Sequence, residues 1–190
     1  LGKILKGKGV NVGYIKPIES GGVEDTTYAK TELELSEDLG LLNPINLKNP
    51  LSPNIAAAVE DVEIDIDKIK ESFQKLKESH EYLIVEGAGG VCVPIKTDYL
   101  MADLIKDLKL PCVLVTRPDL GTINHTILSV EYLRNKGILV KGVIINCIDE
   151  LKDVPYYEET FKAIEEFGHV EIIGVVKNKD DYSINIEKLL

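Results

Sequence analysis

Five apolar runs set the strongest limit on how this chain folds: residues 10–18 (VNVGYIKPI), 82–86 (YLIVE), 111–117 (PCVLVTR), 140–146 (VKGVIIN) and 170–176 (VEIIGVV). Their apolar residues are largely consecutive, as in strands covered on both faces. Helical patterns separate them, at residues 26–37, 65–80, 100–110, 122–135 and 156–167. In the 65–80 stretch, Ile66, Ile69, Phe73 and Leu76 recur at the spacing of one helix face. Covered strands alternating with helices predict an α/β fold, a twisted mainly parallel sheet with helices on both faces. Residues 42–54 (LNPINLKNPLSPN) read as an irregular connection, with Ser52 at an N-cap and Pro53 opening a helix.

A length of 190 residues suits one domain. The formal net charge of -10 argues against broad binding to nucleic acid or anionic membrane, while leaving room for a local basic site. No apolar run reaches the roughly 18 residues of a membrane span. Cys92, Cys112 and Cys147 lie in or beside apolar runs without metal-ligand spacing, which points to reduced thiols and a cytoplasmic protein. His80, His125 and His169 are scattered and form no zinc pattern.

Function is foreshadowed where the strands end. Lys16, Glu86, Arg117 and Asn146 each close an apolar run. In a parallel sheet these ends share one edge, where ligands of α/β proteins bind. Glu86 is the sharpest case, because a carboxylate at the end of a buried strand needs water or a cationic partner. The set of a cation, a carboxylate and an amide suits an anionic ligand with its metal ion.

Four motifs refine this. GKILKGK, residues 2–8, fits the opening of a phosphate-binding loop. Gly9 then stands where Ser or Thr is required and no strand precedes, so it reads as a helix end and turn. YIKPIESGG, residues 14–22, offers Lys16 and a glycine turn whose amides can meet phosphate. VEGAGG, residues 85–90, sets glycines beside a carboxylate able to serve Mg²⁺. DLGTINHT, residues 119–126, places Gly121 and Thr122 at a helix start with free N–H groups. Each has an ordinary alternative: an exposed lysine, a helix-capping Asp25, a plain glycine turn, a core or interface histidine at His125.

Taken together, YIKPIESG, SPNIAAAVE, VEGAGGVCVPI, LPCVLVTRPDLGTINHTILSVEYL and GVIIN resemble the dethiobiotin synthetases in order and spacing. The resemblance covers residues 10–146 and continues weakly through EIIGVV. It implies a P-loop-type fold and closure of the ureido ring of dethiobiotin from 7,8-diaminopelargonate, CO₂ and MgATP, with ADP and phosphate released. It further implies Lys16 as catalytic lysine, Ser20 on the substrate, and Asp25 and Glu86 serving Mg²⁺. Glu86, Gly87, Ala88 and Gly89 would line the nucleotide, and Asn146 with Cys147 would meet adenine. Lys177, Asn178 and Lys179 would form the adenine-side loop. Leu120, Gly121, Thr122, Ile123 and Asn124 would contact substrate across a homodimer, each site shared between chains.

Some features depart from the family pattern. Its phosphate-binding loop is expected upstream of Leu1, where the first residues look like a helix tail. Asn54 replaces the usual histidine, and Lys177 stands where proline is usual. Two rivals follow from the same residues: an amide-forming ligase of the cobyrinic acid diamide synthase type, or a nucleotide-dependent partitioning or switch protein. The GTINHT segment favours the first reading over both.

Overall fold

The computed structural model describes residues 1–146, 156–178 and 180–190. Its contacts gather into two compact units, Leu1–Leu104 and Ile105–Leu190. In the first, GKILKGK forms a helix, α1 (Gly2–Gly7), closing in a turn. Strand β1 (Val12–Ile15) is buried throughout, and Lys16 follows its last residue. Pro17 lacks an N–H and cannot extend the ladder. The chain therefore changes partner, and the single strand expected over residues 10–18 becomes two. Strand β2 (Ile18–Ser20) pairs elsewhere.

Helix α2 (Glu24–Leu33) starts earlier than the pattern suggested, with Glu24 and Asp25 in its first turn, where the helix dipole favours acids. It ends at Glu34, which is left-handed at φ 53°. The region read as irregular holds the short helix α3 (Leu39–Leu42) and strand β3 (Ile45–Leu47), which pairs in parallel with β2. Helix α4 (Pro53–Glu60) follows, with Ser52 as N-cap residue and Pro53 in its first turn. The Ser52 hydroxyl bonds Asn54 Oδ1 at 2.9 Å, not a helix amide.

Helix α5 (Ile66–Ser79) buries Ile66, Ile69, Phe73 and Leu76, the stripe predicted from spacing. Asp65 caps it by accepting from the Lys68 N–H at 3.0 Å. Strand β4 (Tyr82–Val85) then runs parallel to β1, with Val12 opposite Tyr82 and Ile15 opposite Val85. A hairpin, β5 (Pro94–Lys96) with β6 (Tyr99–Leu100), leads into α6 (Met101–Asp107).

The second unit contains β7 (Cys112–Thr116), α7 (Thr122–Asn135), β8 (Val140–Asn146), α8 (Tyr157–Gly168), β9 (Ile172–Val176) and β10 (Tyr182–Ile184). Strands β7, β8 and β9 are parallel, and β10 closes the edge antiparallel to β9. Val130, Val143, Ile145, Ile164 and Val170 form its buried core between sheet and helices. The fold is α/β with parallel sheets, as the alternation of runs predicted. Thr116, the last residue of β7, lies opposite Ile145, and Asn146 closes β8 opposite Val176.

Candidate functional site

At the end of β1 the backbone of Lys16 is pinned on both sides. Its N–H donates to Leu42 O at 2.8 Å, and its carbonyl accepts from Asn43 Nδ2 at 2.8 Å. Asn43 is itself buried, so α3 and the turn after it hold the lysine in register. The Lys16 side chain is only 8% exposed, so its ammonium requires protein partners.

Two carboxylates supply them. Lys16 Nζ donates to Glu86 Oε1 at 2.8 Å and also to Asp25 Oδ2. The β1–β4 register explains the first contact: the Glu86 N–H donates to Ile15 O at 2.9 Å, one step beyond the Ile15–Val85 pair. Tyr14 completes the cluster, its hydroxyl donating to Glu86 Oε2 at 2.9 Å. Burial alone would lower the proton affinity of Lys16, but hydrogen bonds and charge from Asp25 and Glu86 outweigh it and hold its pKa above the ordinary value. Burial first, then the Glu86 charge, pushes the Tyr14 phenol far above its usual range.

Asp25 depends on a residue that the sequence did not single out. Glu19, 4% exposed in β2, accepts from the Asp25 N–H at 2.8 Å, from the Thr26 N–H at 3.3 Å and from the Thr26 hydroxyl. It caps α2 from a neighbouring strand. The N-cap position itself is Val23, which has no side-chain acceptor. The Ser20 hydroxyl oxygen next to Glu19 is buried without a hydrogen-bond partner. Beyond Glu86, Gly87 and Gly89 are exposed and Ala88 is partly buried. Gly89 adopts φ 71°, and a Cβ there would sit 2.9 Å from Val93, so this turn needs glycine.

The remaining assigned residues lie in the second unit. Gly121, at φ 96°, is the N-cap of α7, and Leu120 before it is fully exposed. Thr122 is buried and its hydroxyl meets that of Thr116 at 2.6 Å, while Thr126 donates to Thr116 at 2.9 Å. Ile123 packs on the hydrophobic core and Asn124 is exposed. Asn146 ends β8. Lys177 lies 3.5 Å from Asp181, and Asn178 Oδ1 accepts from the amides of Asp180 and Asp181 at 2.9 and 2.8 Å. Cys147 and Lys179 lie outside the described residues.

Among the described residues, no group of three or more His, Cys, Asp or Glu side chains could cage a metal ion. The paired carboxylates of Asp25 and Glu86 suit a different kind of site. Mg²⁺ takes one or two carboxylates and completes its shell with water and substrate phosphates.

Comparison with known proteins decides the family. The sequence pattern of the family described as an AAA domain matches residues 1–184. The ATP-dependent dethiobiotin synthetase of Methanococcus vannielii is 67% identical, spanning all of this chain and 90% of that protein. The corresponding synthetase of Methanocaldococcus jannaschii is 59% identical over all of this chain and 91% of its own length. The chain belongs to the dethiobiotin synthetase family. Solved structures agree on the fold alone. The signal recognition particle 54 kDa protein of Aeropyrum pernix, in complex with GDP, gives a TM-score of 0.56 at 10% identity, covering 100% of this chain and 40% of that one. The MinC:MinD cell division complex of Aquifex aeolicus gives 0.52 at 17% identity, covering 94% and 73%.

The cluster makes a pH-dependent prediction. A raised lysine pKa contributes stability that is present below about pH 10.4 and lost as pH rises through the raised value, so Lys16 stays charged across the neutral range. Lys16→Met removes this contribution, so the stability gap between wild type and Lys16→Met should be full at neutral pH and narrow above about pH 10.4. Melting curves on either side of that value check this, and a constant gap would contradict the pairing.

Proposed function

We propose that this chain is an ATP-dependent dethiobiotin synthetase that closes a ureido ring from 7,8-diaminopelargonate, CO₂ and ATP. The observation that carries the reading is the buried Lys16 ammonium, held by Asp25 and Glu86 beyond the ends of two parallel strands. One substrate amine adds to CO₂, loses a proton and becomes a carbamate. A carbamate oxygen attacks the γ-phosphorus of ATP, and ADP leaves with the bridging electron pair. The second amine then attacks the carbonyl carbon of the mixed anhydride, expelling phosphate and closing the ring.

Lys16 faces an anion at each stage: carbamate, transferring phosphoryl group and departing phosphate. A fixed cation in a water-poor site stabilises such charge without reorganising. Ser20, whose buried hydroxyl oxygen has no hydrogen-bond partner, would orient the substrate. Asp25 and Glu86 would hold Mg²⁺, which when bound neutralises phosphate charge. Gly87, Ala88 and Gly89 let the nucleotide approach the backbone. The free amides at the start of α7 would take the substrate carboxylate, reached from a second copy of the chain in a homodimer. Among the described residues, Cys92 and Cys112 are free thiols, as suits a cytoplasmic enzyme, and burial pushes the pKa of the second up to about 11.

ADP release by the full-length protein should require diaminopelargonate, bicarbonate and Mg²⁺ together. ATP turnover without diaminopelargonate would instead suit a switch protein. Lys16→Ala should cut turnover by roughly a hundredfold or more, equivalent to about 3 kcal/mol of charge stabilisation. Glu86→Gln should raise the Mg²⁺ needed for half-maximal rate. Near-normal values in either variant would remove that residue from the mechanism.

Site sharing is tested by mixing two inactive variants, Lys16→Ala and Gly121→Trp. If the halves of each site come from different chains, a mixed dimer holds one intact site, and random remixing restores about a quarter of normal activity. No recovery after verified subunit exchange would exclude a shared site.

A further inference from the structure

Glu86 stands one residue beyond its strand, half exposed and followed by a glycine, so nothing in the local backbone fixes its carboxylate. Two groups hold it. Lys16 Nζ occupies Oε1 at 2.8 Å and the Tyr14 hydroxyl occupies Oε2 at 2.9 Å. The tyrosine is the rigid member of the set. It is 4% exposed in the middle of β1, with Ile84 as its partner across the ladder. Side chains alternate along a strand, so Tyr14 and Lys16 share one face of β1, and Ile84 and Glu86 share the matching face of the neighbouring strand. Tyr14 therefore reaches diagonally to Glu86 while Lys16 meets it almost directly.

We propose that Tyr14 is a positioning residue: its phenol fixes the Glu86 carboxylate by one oxygen, leaving the other on the Lys16 ammonium. The inference rests on the reading of Lys16 and Glu86 as parts of the reaction site. Tyr14 touches no reacting atom in it. With only Lys16 as a tether, Glu86 could rotate into solvent, and the lysine would lose one of the two carboxylates that aim it. Phenylalanine at this place keeps the buried ring and removes only the hydroxyl that does the aiming.

The test uses Tyr14→Phe in the full-length protein. Turnover at saturation should fall about tenfold, KM for ATP and diaminopelargonate should stay within about twofold, and the melting temperature should move by no more than a few degrees. Because Tyr14 acts through Glu86, adding Tyr14→Phe to Glu86→Gln should lower turnover no further. A readout without substrates accompanies this. Protein with ¹³C-labelled tyrosine rings should show a slowly exchanging phenolic proton that vanishes in Tyr14→Phe and moves in Glu86→Gln.

Wild-type turnover in Tyr14→Phe would overturn the proposal. So would an undiminished tenfold loss in the Glu86→Gln background, or a loss that merely tracks a large fall in melting temperature. An unmoved phenolic proton in Glu86→Gln would overturn it even if Tyr14→Phe failed to fold. Should the wild-type protein close no ring at all, the functional reading fails. The phenolic proton would then still report on the Tyr14–Glu86 contact.

Discussion

A lysine ammonium with almost no access to water is the constraint around which the first unit is organised. Left alone, such a charge costs several kcal/mol or gives up its proton. Here it does neither, because Asp25 and Glu86 accept from it and outweigh the penalty of burial. The two carboxylates keep contact with solvent, at 61% and 48% side-chain exposure, so their own desolvation is modest. The cluster thus avoids the usual loss of a fully buried salt bridge while keeping the ammonium itself dry.

Holding three charged groups in one geometry sets requirements that spread through the fold. Parallel pairing of β1 with β4 brings Lys16 and Glu86 to the same level. Pro17 stops β1 there, and Asn43 and Leu42 clamp the lysine backbone. The partner change to the β2–β3 ladder carries Glu19 to the start of α2, where it satisfies the amides of Asp25 and Thr26. Tyr14, Glu19 and Asn43 are all buried and all act on a residue of the cluster. An anion arriving at Lys16 would meet donors already fixed in place, so little ordering cost remains at binding.

Much of this architecture was legible in the sequence, for physical reasons. Helix α7 and strand β8 fall at residues 122–135 and 140–146, where the apolar pattern put them. Both contribute buried residues to a core of the second unit, Val130 from the helix and Val143 and Ile145 from the strand. The question raised by Glu86 also had its answer in the same list of strand ends, since the cation waiting for it is Lys16. Three-residue strands such as β2 and β3 were not legible, because so short a run carries no period. Glu19 was missed because its capping contact comes from a separate strand. The Tyr14–Glu86 bond spans 72 positions and depends on strand register, which a single sequence does not reveal. Ile123 and Asn178 came from the family resemblance; the structure leaves Ile123 partly buried against the core and turns Asn178 Oδ1 to the amides of its own turn.

The central claim is that the Lys16 ammonium is the cation that receives the reacting anions. Lysine side-chain NMR on ¹⁵Nζ-labelled full-length protein addresses it most directly. A buried ammonium bonded to two carboxylates should give a slowly exchanging signal, assigned by its loss in Lys16→Ala. On adding diaminopelargonate, bicarbonate and a non-hydrolysable ATP analogue with Mg²⁺, that signal should shift more than those of the exposed lysines. An unmoved Lys16 signal, with calorimetry showing all ligands bound, would contradict the account.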